Sequence, residues 1–373
     1  MRGKAHGRPT TASIMAEQRI TYSEYLHLAK LLQLQDGGNA GRRDISADEL
    51  HFIIVHQSFE LWFKLVLNQL SEARNLLASE NVEEQSIPLI VHHLERSTEI
   101  LKLMQSQWKV METLSPQGFL AFRDELGTAS GFESFQMRGL EIILGLDKVH
   151  RPGGMDPLAH FKKLADESED GRKSWQWLQD LSEQETLVEV LMNWLSRTPI
   201  NGSSSGDQGD EEAVRNFIEG HLAAMQAHDE EALERHRKLG TPGIEKMAER
   251  FASSLEATRE FLLPDGNIMR QRAGLLFIES YRELPLLAWP RKLIDKMVEM
   301  EQQLLLFRYH HARMVERMIG RRVGTGGSSG VDYLDATTKA RIFTDLWQVR
   351  SILVKRDNLP ELKDSDFYGF TSG

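Results

Sequence analysis

Hydrophobic residues recur every three or four positions along most of this 373-residue chain. Residues 22–35, 86–114 and 290–319 each place their apolar side chains on one helical face. Residues 48–70 are apolar around almost the whole helical circumference, which predicts a helix buried on most sides. No segment alternates with the period of two that a half-buried strand requires. The pattern therefore predicts an all-α fold.

The same pattern divides the chain into a large helical bundle domain and a small inserted lobe. Residues 201–212 (NGSSSGDQGDEE) are small, polar and acidic, as in a mobile linker. Two helical patterns follow at 213–239 and 244–263, separated by GTPG, which predicts an αα-hairpin. We expect residues 1–19 to be a disordered leader, residues 20–200 and 264–373 to form the main domain, and residues 201–263 to form the lobe.

Charge and hydropathy narrow the range of partners. The net charge is −10 and no basic stripe reverses it locally, so nucleic acid is not an expected partner. No apolar run approaches the roughly 20 residues that span a bilayer, and the polar N-terminus lacks the apolar core of a signal peptide. The sequence predicts no membrane association and a cytoplasmic location.

The chain has no cysteine, which excludes disulfides, thiolate metal sites and covalent c-type haem attachment. A transition metal would have to be held by histidine, carboxylate or tyrosine, and 13 histidines are present.

His311 is the first candidate ligand. On the predicted helix 290–319 its neighbours one turn away are Phe307, Met314 and Val315, whereas His310 lies on a more polar face. A histidine in an apolar groove suits the axial ligand of a planar hydrophobic prosthetic group such as haem. A plain core histidine fits the spacing equally well, because non-covalent haem ligation leaves no sequence signature.

His56 is the second candidate, with Phe52 one turn before it on the same helical face. A hydrogen-bonded core histidine explains this position as well as a functional one does. Glu60, one turn later, is available as its hydrogen-bond partner.

Arg123 lies between two apolar residues on a predicted short helix. Ser115 and Pro116 supply its N-cap and first turn, and Phe119, Arg123 and Leu126 then share one face. The arginine either extends past core residues to solvent or places a guanidinium at the edge of an apolar pocket, where it can bind a carboxylate with two hydrogen bonds.

The loop GTGGSSG, residues 324–330, follows the histidine helix. Its glycines permit close approach to a polar small molecule, and Thr325 carries its only β-branched hydroxyl. It lacks the lysine and the preceding strand of a nucleotide-binding P-loop.

Several motifs together resemble the tryptophan 2,3-dioxygenase family. They are YSEYL from Tyr22, FIIVHQSFELWFK from Phe52, FLAFRDELGTASGFESFQMR from Phe119, WLSRTP from Trp194, and RYHHARMVERMIG followed by GTGGSSGVDYL. They span most of the chain in the family's order, and residues 201–263 match a region that varies in such enzymes.

The resemblance implies a role for individual residues. His311 matches the proximal ligand of haem b, whose iron is ferrous in the active form. His56 matches the catalytic distal histidine that binds the indole N–H, and Arg123 matches the residue that pairs with the substrate carboxylate. Thr325 matches a loop residue that contacts the substrate's ammonium and carboxylate groups.

Other matching residues surround these four. Those implied to line the substrate pocket are Phe52, Phe119, Leu126 and Ser130. Phe52 and Gly326 are also implied to contact haem. Tyr22 and Tyr25 match residues that close the active site of a neighbouring subunit, because the family forms a homotetramer built as a dimer of dimers.

The activity implied is cleavage of the indole C2–C3 bond of L-tryptophan by O₂, giving N-formyl-L-kynurenine. One alternative is a haem monooxygenase on the same scaffold that acts on a substituted tryptophan or another aromatic amino acid. A non-enzymatic helical scaffold or haem sensor is a second alternative, but it leaves Arg123 and the glycine loop unexplained.

Overall fold

The computed structural model describes residues 20–127, 129, 131–146, 157–322, 330–363 and 365–369. In chain order its α-helices are α1 (Tyr22–Tyr25), α2 (Leu28–Leu31), α3 (Ala47–Leu77), α4 (Ser86–Met111), α5 (Pro116–Phe122), α6 (Phe135–Leu144), α7 (Pro157–Glu167), α8 (Glu169–Ser182), α9 (Leu187–Leu195), α10 (Asp210–Lys238), α11 (Ile244–Leu262), α12 (Arg270–Ser280), α13 (Ala288–Ile319), α14 (Gly330–Thr337) and α15 (Thr344–Gln348). In these residues the only β-type pairing is an isolated antiparallel bridge between Ile200 and Ser203. The predicted all-α fold is confirmed.

Three long helices form the centre of the molecule. α4 packs lengthwise against both α3 and α13. Its buried stripe includes Leu94, Leu101 and Met104, which have no exposed surface. These side chains follow the helical spacing of the sequence, so the amphipathic pattern and the packing agree.

α3 is less enclosed than its sequence suggests. Its inner face is buried, with Val66 and Leu70 fully inaccessible, but Leu50, Ile54 and Leu61 on the outer face are 40–53% exposed. The expectation of burial on most sides is therefore wrong for the single chain. α3 is also the one helix of the described residues that is long and apolar enough to cross a membrane, a test that long core helices of soluble proteins pass as well.

The α5 region starts as the sequence predicts but ends differently. The Ser115 hydroxyl accepts a hydrogen bond from Gly118 N at 2.9 Å, and Pro116 begins the helix. The α-helix ends at Phe122, and Arg123–Leu126 form a 3₁₀ turn. Because the 3₁₀ turn is wound more tightly, Arg123 and Leu126 do not continue the α-helical stripe of Phe119.

The predicted linker, residues 201–212, is shorter in the structure: α10 begins at Asp210, and specific contacts hold residues 201–209. The Tyr368 hydroxyl accepts from Gly202 N at 3.0 Å and donates to the Pro199 carbonyl at 2.9 Å. Arg270 pairs with Asp210 at the first position of α10 at 3.0 Å.

The predicted pair of helices after this stretch is α10 and α11, which pack against each other. Phe217, Ile218 and Phe261 from this pair are buried in the same hydrophobic core as the central helices. The division of the chain at residues 201–263 stays a prediction.

α6 approaches α8 closely at Gly139. A Cβ atom built on this glycine would lie 2.3 Å from the Trp177 ring. Close packing at this point fixes α6, whose N-terminal residues Phe135, Gln136 and Met137 reach the cavity described next.

Candidate active site

A cavity of about 510 Å³ lies between α3, α4, α13 and the chain from Leu126 to Met137. The aromatic residues that line it are Phe52, Phe59, Phe63, Trp108, Phe135 and Phe307. Its two histidines are His56 and His311. The structure therefore brings together both histidines that the sequence singled out, although 255 positions separate them.

His311 lies flat on an indole ring. Its imidazole stacks on Trp108 with ring centroids 4.7 Å apart and an interplanar angle of 2°. Burial, and to a smaller extent the nearby His56, lowers the pKa of His311 to about 4. The ring is therefore neutral at pH 7, the state in which imidazole binds a metal.

His56 is oriented by its own helix. His56 Nδ1 lies 2.8 Å from the Phe52 carbonyl oxygen. Because a carbonyl can only accept, Nδ1 carries the proton, and Nε2 is left as an acceptor. Burial lowers the pKa of His56, against the opposing effect of the Phe52 carbonyl. The neutral ring can accept a hydrogen bond from a donor in the cavity.

Glu60 is not the partner of His56, contrary to the possibility raised by the sequence. The Gln136 side-chain amide donates to both the carboxylate and the main-chain carbonyl of Glu60, each at 2.8 Å. Both residues line the cavity and supply polar groups to a lining that is mainly aromatic. Sequence spacing could not reveal this pair, because Gln136 approaches from another helix.

The aromatic wall beside His56 is a three-ring cluster. Phe52 stacks obliquely on His56 at 4.0 Å and contacts Phe119 at 5.8 Å and Phe122 at 5.6 Å. Leu126 lines the cavity, whereas Phe119 lies behind Phe52. Of the predicted pocket residues, Phe52 and Leu126 therefore line the cavity, and Phe119 packs against Phe52.

Arg123 begins the 3₁₀ turn that ends at Leu126. Its side chain is half-buried, and within the described residues its guanidinium has no ion pair or hydrogen bond. Arg123 is not among the residues that line the cavity, whereas Leu126 at the other end of the same turn is. Half-buried guanidinium groups are usually paired with a carboxylate. An unpaired one fits a ligand carboxylate.

A buried charged network joins α6 to α13, the helix that carries His311. Glu141 pairs with Arg138 at 2.5 Å and with Arg308 at 3.1 Å. Arg138 also donates to the Tyr333 hydroxyl at 3.4 Å. Arg308 is 4% exposed, and its Nε has no hydrogen-bond partner in the part of the chain that the structure describes. Arg308 precedes His311 by about one turn on α13.

Comparison with known proteins gives these features a context. The family model described as tryptophan 2,3-dioxygenase matches residues 8–353. Tryptophan 2,3-dioxygenase 2 of Ralstonia nicotianae is 39% identical over 370 residues, covering 94% of this chain and 98% of that protein. The tryptophan 2,3-dioxygenase of Sorangium cellulosum is 39% identical, and the alignment covers 97% of this chain and 90% of that protein. The tryptophan 2,3-dioxygenase of Aedes aegypti is 32% identical, and the alignment covers 93% of this chain and 88% of that protein.

The chain belongs to the tryptophan 2,3-dioxygenase family. The match extends across both histidines, Arg123 and the inserted helices 210–262. The resemblance drawn from the motifs is therefore confirmed along nearly the whole chain.

The structure leaves some family-matched residues undescribed. Ser130, Thr325 and Gly326 lie outside the described residues, so their assignments stay predictions. Tyr22 and Tyr25 lie on α1 and are 75% and 71% exposed, with no contact to the cavity of their own chain. A role for them in the site would require a neighbouring subunit.

Trp108 is a site residue that the sequence did not indicate. It lies on the buried stripe of α4 with Met104 and Met111, and this periodicity marked it only as a core residue. Its indole Nε1 is buried and has no hydrogen-bond partner among the described residues. Its contact with His311 depends on the packing of α4 on α13.

Proposed function

We propose that this protein is a haem-dependent dioxygenase that opens the C2–C3 bond of the indole of L-tryptophan with O₂ and gives N-formyl-L-kynurenine. The observation that carries the proposal is the convergence of His56 and His311 on one aromatic cavity. Leu126, which ends the turn that Arg123 begins, lines the same cavity. The tryptophan 2,3-dioxygenases that this chain resembles support the substrate and the reaction.

The residues present fit a haem group. The neutral His311 would hold its iron, and the aromatic wall, which includes Phe52, would surround a flat hydrophobic ring. The buried Nε of Arg308, one turn before His311, has no hydrogen-bond partner among the described residues, and such a donor suits an anionic group. Haem bound there supplies the iron chemistry that lets O₂, a triplet molecule, react with an organic substrate. Gly326 matches a further family contact.

Arg123 would hold the substrate at its amino-acid end. A guanidinium binds a carboxylate through two parallel hydrogen bonds, which fixes the orientation of the ligand as well as its position. Thr325 matches the family residue that contacts the ammonium and carboxylate groups. Anchoring this end sets where the indole lies in the cavity, which is the main contribution that positioning makes to rate.

His56 would hold the indole. The acceptor Nε2 of its neutral ring suits the N–H of indole, which is a donor only. This contact orients the ring, and the low pKa of His56 argues against a charged imidazolium in the resting site. Phe119 and Leu126, with Phe52, exclude water from the reacting ring. Ser130 matches a hydroxyl of the same pocket.

The proposed assembly is a homotetramer built as a dimer of dimers. The support is apolar surface that the single chain leaves exposed: Tyr22 and Tyr25 on α1, and Leu61 on the outer face of α3. Exposed large apolar side chains of this kind suit burial at a subunit interface. We propose a cytoplasmic location and a main domain of residues 20–200 and 264–373 that carries the lobe 201–263.

The test is aerobic turnover of L-tryptophan by haem-reconstituted protein under reducing conditions, with the product mass measured. We expect a gain of two oxygen atoms, and a gain of one would indicate a monooxygenase instead. The His311→Ala variant should lose the histidine-ligated Soret band. Normal haem retention in that variant would contradict the ligand assignment.

A further inference from the structure

The proposed substrate contacts come from two segments of the chain that pack against each other. α3 contributes Phe52 and His56, and the 3₁₀ turn Arg123–Leu126 contributes the carboxylate anchor. The placement of this turn relative to α3 sets the distance between the anchor and the indole pocket. A shift of about 1 Å in such a distance is enough to impair binding and rate.

At its start, α5 lies against the side chain of Asp48. Gly118 lies against the first turn of α3, where an added Cβ would be 2.3 Å from the Asp48 carboxylate. In its middle, α5 is fixed by the packing of Phe119 and Phe122 on Phe52. These contacts hold the α-helical part of α5 but end before the turn that carries Arg123.

The turn itself is tied to α3 by Arg43. The Nη1 and Nη2 atoms of Arg43 donate to the two carboxylate oxygens of Glu49, each at 2.6 Å. Arg43 Nε lies 3.0 Å from the Glu125 carboxylate. Glu49 belongs to the first turn of α3 and Glu125 to the 3₁₀ turn, two residues after Arg123. One guanidinium therefore joins the two segments.

The two halves of this bridge differ in strength. The Glu49 side chain is 3% exposed, so its carboxylate depends on the bidentate pair with Arg43, which also lowers the pKa of Glu49. The Glu125 side chain is 52% exposed, and such a pair contributes little to global stability. Cutting the bridge at Glu125 therefore frees the turn without leaving an unpaired buried charge.

We propose that Arg43 is a positioning residue for the substrate-carboxylate site, holding the Arg123 turn in register with Phe52 and His56 through Glu125. This inference rests on the proposed function. Arg43 does not contact the cavity, so its effect on substrate passes through Arg123.

The inference predicts the direction in which L-tryptophan affinity changes when the negative charge of Glu125 is removed. Removing a negative charge near Arg123 would, by Coulomb's law alone, strengthen binding of an anionic group there. Loss of the ion pair between Arg43 and Glu125 has the opposite effect and weakens binding, because Arg123 then moves relative to Phe52 and His56. Asp124 is the matched control: it is exposed, lies next to Arg123, and has no side-chain ion pair or hydrogen bond in the described residues.

The experiment measures the dissociation constants of L-tryptophan and of tryptamine, which lacks the carboxylate, from the spectral change of the haem-loaded enzyme. Glu125→Ala should raise the L-tryptophan constant about twofold to fivefold, the range that a half-exposed ion pair allows. The tryptamine constant should stay unchanged. Asp124→Ala should leave L-tryptophan binding unchanged or tighter, and Glu125→Ala should have no further effect in an Arg123→Ala background.

Equal effects of Glu125→Ala and Asp124→Ala would overturn the inference. Equal weakening of L-tryptophan binding and tryptamine binding by Glu125→Ala would also overturn it. A further loss of L-tryptophan affinity when Glu125→Ala is added to Arg123→Ala would do the same, because each result would indicate a general disturbance of the site instead of the positioning of Arg123. Failure of the unmodified enzyme to bind L-tryptophan would overturn the proposed function and this inference with it, and that result is distinguishable from the other three.

Discussion

The imidazole of His311 and the indole of Trp108 are parallel within 2°, with their centroids 4.7 Å apart. Trp108 in turn lies 4.2 Å from Phe59 and 5.4 Å from Phe307, so the ring that supports His311 is itself enclosed. A flat stack on a rigid neighbour leaves the imidazole one orientation. Neighbouring groups that fix the ring orientation of a histidine are a general feature of metal sites, so this stack suits the proposed role of His311.

Replacing Trp108 should therefore destabilise the core and weaken the proposed binding of haem by His311. We expect Trp108→Ala to lower the free energy of unfolding by about 3–5 kcal/mol, the cost of emptying a buried aromatic site, and to speed haem loss. Denaturant titration and haem transfer to an apo-globin measure the two effects. Trp289→Ala is the control, since Trp289 is 49% exposed. Equal losses in both variants would argue against a special role for Trp108.

Arg123 should discriminate between ligands by their carboxylate. Arg123→Ala is expected to weaken L-tryptophan binding by about 2–5 kcal/mol, the scale for removing one partner of a buried charge pair. Tryptamine binding should change far less. Arg123→Lys keeps the charge but not the two-point geometry, so intermediate affinity is expected. If both ligands respond equally to Arg123→Ala, the carboxylate assignment is wrong.

His221 should make the haem-free protein acid-sensitive. Its side chain is fully buried, its Nε2 lies 2.8 Å from the Ile352 carbonyl, and burial lowers its pKa below 6.5. As the pH falls, His221 therefore takes up a proton in the unfolded chain before it does so in the folded protein. The contribution of neutral His221 to folding stability is complete above pH 6.5 and is lost as the pH falls towards the lower pKa of His221 in the folded state.

His221→Gln keeps a donor for Ile352 but cannot titrate. We expect its unfolding free energy to fall less steeply between pH 7.5 and 5.5 than that of the unmodified protein, with a difference of at most about 1.4 kcal/mol per pH unit. Chemical denaturation at several pH values measures this. Parallel curves for the two proteins would exclude the contribution of His221.

Gly139 should tolerate no side chain. Gly139→Ala would place a methyl group 2.3 Å from the Trp177 ring, and overpacking of this kind costs about 1–3 kcal/mol. The atoms concerned, Cη2 and Cζ3, are absent from phenylalanine. The double variant Gly139→Ala, Trp177→Phe should therefore lose less than the sum of the single variants. Strict additivity of the two losses would contradict the proposed close contact.

The helical pattern of the sequence did not show that residues 22–35 form two short helices or that α3 continues to Leu77. It was sufficient for the all-α fold, for the bounds of α4 and α13 to within about three residues, and for the start of α5 at Ser115 and Pro116. These features depend on residues within one or two turns of each other, where periodicity and capping chemistry act directly. The same spacing placed His311 on an apolar helical face. It also grouped Phe52 with His56.

Spacing within one helix could not choose the partners of these side chains. Phe52 and not Glu60 orients His56, Trp108 supports His311 across 203 positions, and Gln136 takes up Glu60.

The 3₁₀ turn of Arg123 and its bridge through Arg43 likewise exist only in the folded chain. Local periodicity determines which side of a helix is buried, whereas contacts between distant segments depend on how the helices pack. The sequence by itself therefore determined the helices and their apolar faces, and the tertiary structure decided which chemical groups meet in the cavity.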